Sequence, residues 1–334
     1  MVKKIKIAID AMGGDNSPKK IIEGIKLHSK KSKDCFYRII GDIDQITKYI
    51  DSDINKNNYE LIDTKEKIEG SDSALAAAKK GKNTSMWLAI ESVKKLESDI
   101  VISAGNTGAL FVIAKLNLKM IETIDKPALA GLWPNKNGSS IVLDLGASID
   151  CSEKNLVDFS LMGSALHKAL YPNEISNVAI LNIGSEEIKG HEIIKKAYEI
   201  LNSRNNTNYN FNGYIEGNEL MDGKSNVIIT DGFTGNVALK TAEGTANFIT
   251  SELKKSMTSS FLGKLSSLLN IKNLRNFKKK FDPRLYNGAI LLGLTSAVIK
   301  SHGATDSLGF SYSLSLCEKI VKGELIDKIK KNIN

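Results

Sequence analysis

Five apolar, largely β-branched runs in this chain each end in a small polar or glycine-containing loop, and that recurrence points to a layered α/β architecture. The runs from Ile5, Ile100 and Ile141 lead into Gly13-Gly14-Asp15, Ala104-Gly105-Asn106-Thr107-Gly108 and Leu145-Gly146-Ala147-Ser148. The run from Val178 leads into Asn182-Ile183-Gly184-Ser185-Glu186, and the run from Val227 into Asp231-Gly232-Phe233-Thr234-Gly235-Asn236. After the last loop, Ala238, Leu239, Ala242 and Ala246 resume with helical spacing. A helix that starts there presents unpaired backbone N–H groups and a positive dipole end, to which Asp231, Thr234 and Asn236 add side chains. An anion site and an ordinary capped helix start both fit one such loop. In an open, mostly parallel sheet, strand-end loops gather along one edge, and five of them predict a site there.

Elsewhere the chain alternates further strands and helices. Strands are expected near residues 35–40, 58–63, 126–133 and 140–144, and helices near 18–29, 43–50, 71–96, 109–118 and 156–170. Ser17 is expected to cap the helix that Pro18 opens. The first turn lacks the G-x-G-x-x-G spacing, which argues against a dinucleotide fold of the dehydrogenase kind. Lys79, Lys80 and Lys82 cluster at a helix break, and either a solvated helix end or an anion contact accounts for them. Lys189 falls about one helical turn beyond a strand-end glycine, where it is either a surface lysine on an amphipathic helix or an ammonium within reach of a loop-held phosphate.

Met1 to Lys4 run straight into the first strand and leave no room for a signal peptide, so a cytoplasmic protein is expected. The longest apolar stretch, near residues 288–299, is too short and polar to cross a bilayer. Cys35, Cys151 and Cys317 have neither disulfide-framework nor zinc spacing and are read as packing residues. His28, His167, His191 and His302 lack paired ligand spacing, so no metal is expected.

Charge is distributed unevenly. Residues 251–284 hold nine Lys or Arg against two Asp or Glu, which is +7 of the chain's formal +8. Met257, Phe261, Leu262, Leu265, Leu268, Leu269, Ile271, Leu274 and Phe277 lie among these charges with helical spacings, broken at Gly263 and Asn270. A basic amphipathic segment of this kind suits an anionic membrane or an acidic carrier protein, with Phe261, Leu262, Lys264, Leu265, Leu268, Arg275, Lys278 and Lys279 as contacts. A helical hairpin at a dimer interface, its charges solvated, is the other reading. No nucleic-acid partner is expected.

The loops, taken with Leu239-Lys240, Glu243-Gly244 and Ser301-His302-Gly303, resemble the bacterial phosphate acyltransferases of phospholipid synthesis, the PlsX family, in order along nearly the whole chain. The resemblance implies a three-layer α/β/α fold like that of isocitrate and isopropylmalate dehydrogenases and phosphotransacetylases, with residues 1–334 as one catalytic domain and a helical hairpin insertion. It implies a cofactor-free enzyme that moves a fatty acyl group from acyl carrier protein to inorganic phosphate and works as a homodimer. Peripheral attachment to the inner face of the cell membrane and a downstream glycerol-3-phosphate acyltransferase belong to the same implication. Lys189, Asp231 and Asn236 match the expected catalytic positions. Asp10, Gly13, Gly14, Asn106, Thr107, Gly108, Gly184, Thr234, Gly235 and His302 match substrate or phosphate contacts. Ser148 and Asn218 depart from the family's usual Asn and Arg. A nicotinamide-dependent dehydrogenase on the same fold and a non-catalytic membrane or carrier-binding module are the alternatives.

Overall fold

Runs of Ile, Val and Leu that alternate with helical segments build one eleven-stranded sheet with helices on both faces in the computed structural model, which describes residues 4–79, 81–204 and 208–333. Lys80 and Met1 to Lys3 fall outside that description, as does the side chain of Lys278. In the N-terminal part, β1 (Ile5–Asp10), α1 (Lys19–Lys31), β2 (Cys35–Gly41), α2 (Ile43–Ile46) and β3 (Tyr59–Asp63) come first. They are followed by α3 (Ala74–Lys79), α4 (Ser85–Lys94), β4 (Ile100–Ser103) and α5 (Thr107–Asn117). The middle contains β5 (Ala128–Asn135), β6 (Gly138–Leu143), α6 (Glu153–Leu170), β7 (Asn177–Asn182), α7 (Glu192–Ser203), β8 (Asn210–Glu216) and β9 (Val227–Ile229). The chain ends with α8 (Gly232–Thr258), α9 (Phe261–Leu269), α10 (Ile271–Lys280), β10 (Ala289–Leu292), β11 (Val298–Lys300), α11 (Ser307–Lys322) and α12 (Leu325–Ile333).

Side-chain alternation along each strand decides which helices cover which face. Ile7, Ile9 and Ile102 point into a core with Ile21, Ile25 and Phe310, on the side of α1, α11 and α6. Ala8 and Val101, one residue out of step, point to Met86, Ile90 and Ile113 on α4 and α5. Both faces are dry, so these strands read as continuous apolar runs.

Strand direction departs from the expectation. The order is β3-β2-β1-β4-β11-β10-β5-β6-β9-β7-β8. Pairing is parallel from β3 to β11, antiparallel at β11–β10, β10–β5 and β5–β6, and parallel again from β6 to β8. Three reversals leave the second parallel block running opposite to the first. The five loops therefore divide between two sheet edges: β1 and β4 end at one, β6, β9 and β7 at the other. The cause is the tight β5–β6 hairpin, in which Asn135 pairs with Gly138, a glycine with φ of +144°.

Smaller differences have local causes. The helix expected over 43–50 is the single turn Ile43–Ile46, capped by Asp42. Ser17 does not cap α1: its Oγ donates to the Gly13 carbonyl at 2.6 Å, and Pro18 precedes the first helical residue. Gly263 does not break the basic segment. It lies in the first turn of α9, where its N–H donates to the Ser260 cap at 3.0 Å, and the breaks fall at residues 259–260 and at Asn270. Among the described residues, no helix is long and apolar enough to cross a membrane.

Candidate active site

Two loops at the second edge are locked together by one carboxylate. Asp144, fully buried at the end of β6, accepts N–H groups from Leu129, Gly146, Ala147 and Ser148 at 2.8, 3.1, 3.0 and 2.6 Å. Burial raises its pKa, and these donors oppose the rise. The first turn of α8 rests on this loop: the Gly232 N–H donates to the Ser148 carbonyl at 2.9 Å. A Cβ on Gly235 would stand 1.9 Å from the Asp144 carbonyl oxygen, so no larger residue fits unshifted.

Asp231 is the N-cap of α8. Its two oxygens accept the Thr234 N–H at 2.8 Å and the Thr234 hydroxyl at 2.7 Å. The capped-helix reading of the sequence is thus correct for Asp231 and Thr234, and each carboxylate oxygen keeps a further lone pair for a ligand. Asn236 is exposed beside Gly146 and makes no side-chain hydrogen bond among the described residues. Lys189 lies in the loop after β7, before α7 begins, so it is not on a helix. Asn182 shapes that loop by donating to the Gly184 and Lys189 carbonyls, each at 3.1 Å, and the stem of Lys189 packs by Gly184. Because β6, β9 and β7 are adjacent and parallel, their ends bring Lys189, Asp231 and Asn236 to one stretch of edge, with strands about 5 Å apart.

The other expected contacts gather at the first edge. Asp10, buried at the end of β1, accepts from the Met12 N–H at 3.2 Å, Ser85 Oγ at 2.6 Å and Ser103 Oγ at 2.7 Å. Burial raises its pKa, and these bonds oppose the rise. Gly14 needs its φ of +82°, and a Cβ there would stand 2.7 Å from the Ala104 carbonyl. Asn106 caps α5 through Ala109 N–H, and its Nδ2 donates to the carbonyls of Gly70 and Asp72 at 2.9 and 3.0 Å. Thr107 and Gly108 form the first turn of α5. His302 is exposed, and its Nδ1 accepts the Ala304 N–H at 3.3 Å. Partial desolvation, then the Lys300 charge, lower its pKa, while Glu243 opposes.

That last influence links the edges, because Glu243 and Lys240 lie on α8. The helix leaves the second edge at Gly232 and, about 12 Å along its axis, brings Lys240 and then Glu243 within electrostatic reach of His302. Between them, Ala238, Leu239 and Ala242 pack against the core cluster of Leu129, Trp133, Val142 and Leu145, which Ala147, Phe111 and Ala289 also border. Beside this seam lies an open cavity of about 450 Å³ lined by Phe111, Val112, Pro127, Ala147, Leu291 and Leu294.

One thiol reaches these loops, Cys151, whose Sγ donates to the Ser148 carbonyl at 3.4 Å, and His191 closes the loop after β7 as the residue before α7. Burial pushes Cys35 up to about 12, Cys151 up to about 11, and Cys317 well above the usual thiol range. His28 is not isolated, contrary to its sequence spacing: its Nε2, Cys35 Sγ and a Glu318 oxygen lie within 4.8 Å of one another. Chain segments far apart in sequence bring them together. His28 Nδ1 is 2.8 Å from the Tyr37 hydroxyl, and Nε2 is 3.3 Å from Glu318.

Sequence reasoning missed Asp144, Lys20 and Lys300. Asp144 reads as one more strand-end carboxylate, and no local pattern says it will bind four backbone groups. Lys20 and Lys300 sit in a helix and at a strand end, where a lysine ordinarily reaches water.

The α/β/α layers and anion-suited loops define an enzyme of the phosphotransacetylase fold. A phosphotransacetylase from Staphylococcus aureus superposes with a TM-score of 0.63 at 13% identity, over 97% of this chain and 96% of that one. The profile described as "Fatty acid synthesis protein" matches residues 5–328. The chain is 66% identical to the phosphate acyltransferase of Pelagibacter ubique over the full length of both, and 39% identical to that of Bradyrhizobium diazoefficiens over 100% of this chain and 95% of that relative. It belongs to the bacterial phosphate acyltransferase (PlsX) family and is an acyltransferase. Nothing in these relationships favours a nicotinamide-dependent dehydrogenase or a non-catalytic binding module.

Proposed function

We propose that this protein transfers a fatty acyl group from the thioester of acyl carrier protein to inorganic phosphate, giving acyl phosphate and free carrier protein for phospholipid synthesis. The observation that carries this reading is the convergence of Lys189, Asp231 and Asn236 on neighbouring strand ends of a chain 66% identical to a phosphate acyltransferase. Phosphate is itself the nucleophile. One of its oxygens attacks the thioester carbonyl carbon, the C–O bond forms as the carbonyl becomes an oxyanion, and the C–S bond then breaks to release the carrier thiolate, which takes up a proton. The protein needs to hold the phosphate charge, orient it and stabilise the oxyanion.

Lys189 supplies charge to the phosphate, Asp231 accepts a phosphate hydrogen bond or proton on its free lone pairs, and Asn236 donates to the oxyanion. Gly184, Thr234 and Gly235 give the loops their shape. The cavity beside Phe111 and Leu294, lined also by Lys115, Lys126, Ser148 and Asp150, suits the start of the acyl chain on its apolar side. No cofactor enters the scheme.

Attachment to a membrane and self-association belong to the same proposal. Phe261, Leu262, Leu265 and Leu268 are 79, 74, 46 and 64% exposed, next to exposed Lys264, Arg275 and Lys279. Phe248, Ile249 and Leu253 continue this apolar surface along α8. A surface this apolar calls for a partner. The end of α8 suits a second copy of the chain, and α9 with α10 suits an anionic bilayer at the inner face of the cell membrane, near a glycerol-3-phosphate acyltransferase that would consume the product.

The test is incubation with acyl carrier protein thioester, with and without phosphate, and mass analysis of the products. Phosphate-dependent acyl phosphate and free carrier protein are expected. Carrier release that does not depend on phosphate would overturn the reading.

A further inference from the structure

We propose that Lys20 and Lys300, together with the His302–Gly303 turn, form a pocket for a phosphoryl oxyanion at the edge where β1, β4 and β11 end. This deepens the reading above and rests on it for the identity of the substrates.

Lys20, on the first turn of α1, is only 5% exposed, and its ammonium donates to the Gly303 carbonyl. Lys300, the last residue of β11, donates to the neighbouring Ser301 carbonyl. Among the described residues, neither has a carboxylate within the 4.0 Å of an ion pair. The charges that influence Lys300 are Lys20 and Asp10, but the Asp10 oxygens already receive Met12, Ser85 and Ser103. Lys20 has only the longer-range attraction of Asp15.

Two ammonium groups, Lys20 buried and Lys300 half-buried, thus converge on the 301–303 turn, where among the described residues they donate to neutral carbonyls. Burial, then in Lys300 the charge of Lys20, lowers both pKa values, that of Lys300 to about 8. Uncompensated buried charge is costly, and native proteins keep it mainly where a ligand supplies the counter-charge. A phosphoryl group, with two negative charges and several acceptor oxygens, matches two ammonium groups. Gly14 lets the β1 loop approach this cluster closely: a Cβ there would come within 3.0 Å of Lys20 Nζ and of the Gly303 carbonyl oxygen. Lys240 of α8, the helix that carries Asp231 and Asn236 at its start, is a further cation within electrostatic reach of His302.

The phosphoryl group can come from inorganic phosphate or from the phosphopantetheine arm of the carrier protein. Calorimetric titration of the whole protein with inorganic phosphate, and separately with pantetheine 4′-phosphate, distinguishes them. Lys300→Gln and Lys20→Gln should each weaken one of these ligands at least tenfold, and Lys300→Arg should stay within a few-fold of wild type. Loss for phosphate alone assigns the pocket to the nucleophile, with a matching rise in KM for phosphate. Loss for pantetheine phosphate alone assigns it to the arm, with the rise in KM for the acyl donor.

A measurement on the unaltered protein guards against a folding defect. Acetic anhydride labelling of Lys300, read by peptide mass spectrometry, should fall at least tenfold when the ligand that binds is added. Unchanged binding of both ligands in the folded Gln variants, or unchanged labelling, overturns the pocket. If wild type forms acyl phosphate normally while these tests fail, the pocket alone is wrong. If Lys300 governs phosphate binding but no acyl transfer occurs, the pocket stands and the assigned reaction falls.

Discussion

Replacing Gly235 by alanine tests whether the contact between the start of α8 and the 144–148 loop sets the geometry of the second edge. The added Cβ would stand 1.9 Å from the Asp144 carbonyl oxygen and 2.9 Å from the Thr230 methyl. An ordinary carbon–oxygen contact is about 3.3 Å, so backbone must move by more than 1 Å. Neither side is a flexible side chain, and Asp144 is pinned by four N–H groups, so the loop cannot give way cheaply. Overpacking of this kind costs about 3 kcal/mol. A 1 Å displacement of a reacting group costs about a hundredfold in rate. Gly235→Ala should therefore lose about 3 kcal/mol in urea unfolding and at least a hundredfold in kcat/KM for acyl phosphate formation. Gly217→Ala is the control: an added Cβ there meets nothing within 4 Å, and both quantities should stay near wild type. A Gly235→Ala protein with wild-type stability and rate would refute the argument that this contact positions Asp231 and Asn236.

Lys189→Ala should lower acyl phosphate formation about a hundredfold without loss of stability, as expected for a transition-state contact on an exposed loop. Asp231→Ala should lose both activity and about 1 kcal/mol of capping, whereas Asp231→Ser should recover the stability and not the rate; full activity in Asp231→Ser would remove the carboxylate from the mechanism. Changing Cys35, Cys151 and Cys317 together to Ser should spare turnover, and a cysteine acylated by donor and cleared by phosphate would contradict that. Calorimetric affinity for whichever of phosphate and pantetheine 4′-phosphate needs Lys300 should fall as pH rises through about 8, because Lys300 is charged below its pKa and neutral above it. Lys20 and Asp10 are the charges that act on Lys300, and His302, within its reach, is in turn influenced by Lys240 and Glu243; a Lys300→Gln variant should lack this decline. Phe261→Glu with Leu265→Glu should abolish sedimentation with anionic vesicles and leave the oligomeric state unchanged by light scattering; a variant that still sediments would rule out α9 as the membrane contact.

β1 to β7, β9 and most helices could be read from the sequence because local periodicity encodes them, whereas β8, β10 and β11 were not expected. Ile7, Ala8 and Ile9 are all buried, yet face different helical layers, and the flanking glycines mark where the run stops. Strand direction could not be read. It depends on which strands pair, and the pairing of Ile290 with Ala130 joins residues 160 apart in the chain. One hairpin and one inserted antiparallel strand were enough to move three of the five loops to the opposite edge. The same limit hid Lys20 and Lys300. Each looks like a surface lysine in its own element, and only the approach of the Gly303 turn to α1 buries the first. Conversely, Asn106 resembles a ligand contact in sequence, while in the fold both its amide and its carbonyl are spent on the 70–72 loop and the α5 cap.

The opposed blocks also give α8 its importance. With β1, β4 and β11 ending at one edge and β6, β9 and β7 at the other, neither set of loops alone has both a cation-rich cradle and the Asp231–Asn236 helix start. A nucleophile and an acyl donor must still meet within about 3.5 Å. The element that relates the two sets is α8, which is anchored at Gly232 and Gly235 to the Asp144 loop and carries Lys240 and Glu243 within electrostatic reach of His302. Its contacts in between are made by Ala238, Leu239 and Ala242, and the two alanines are small side chains that let a helix lie close to the sheet. A large residue at either alanine would lift the helix and separate the edges without touching a polar group, so the spacing between phosphate and thioester is set as much by these alanines as by the charged residues at the ends.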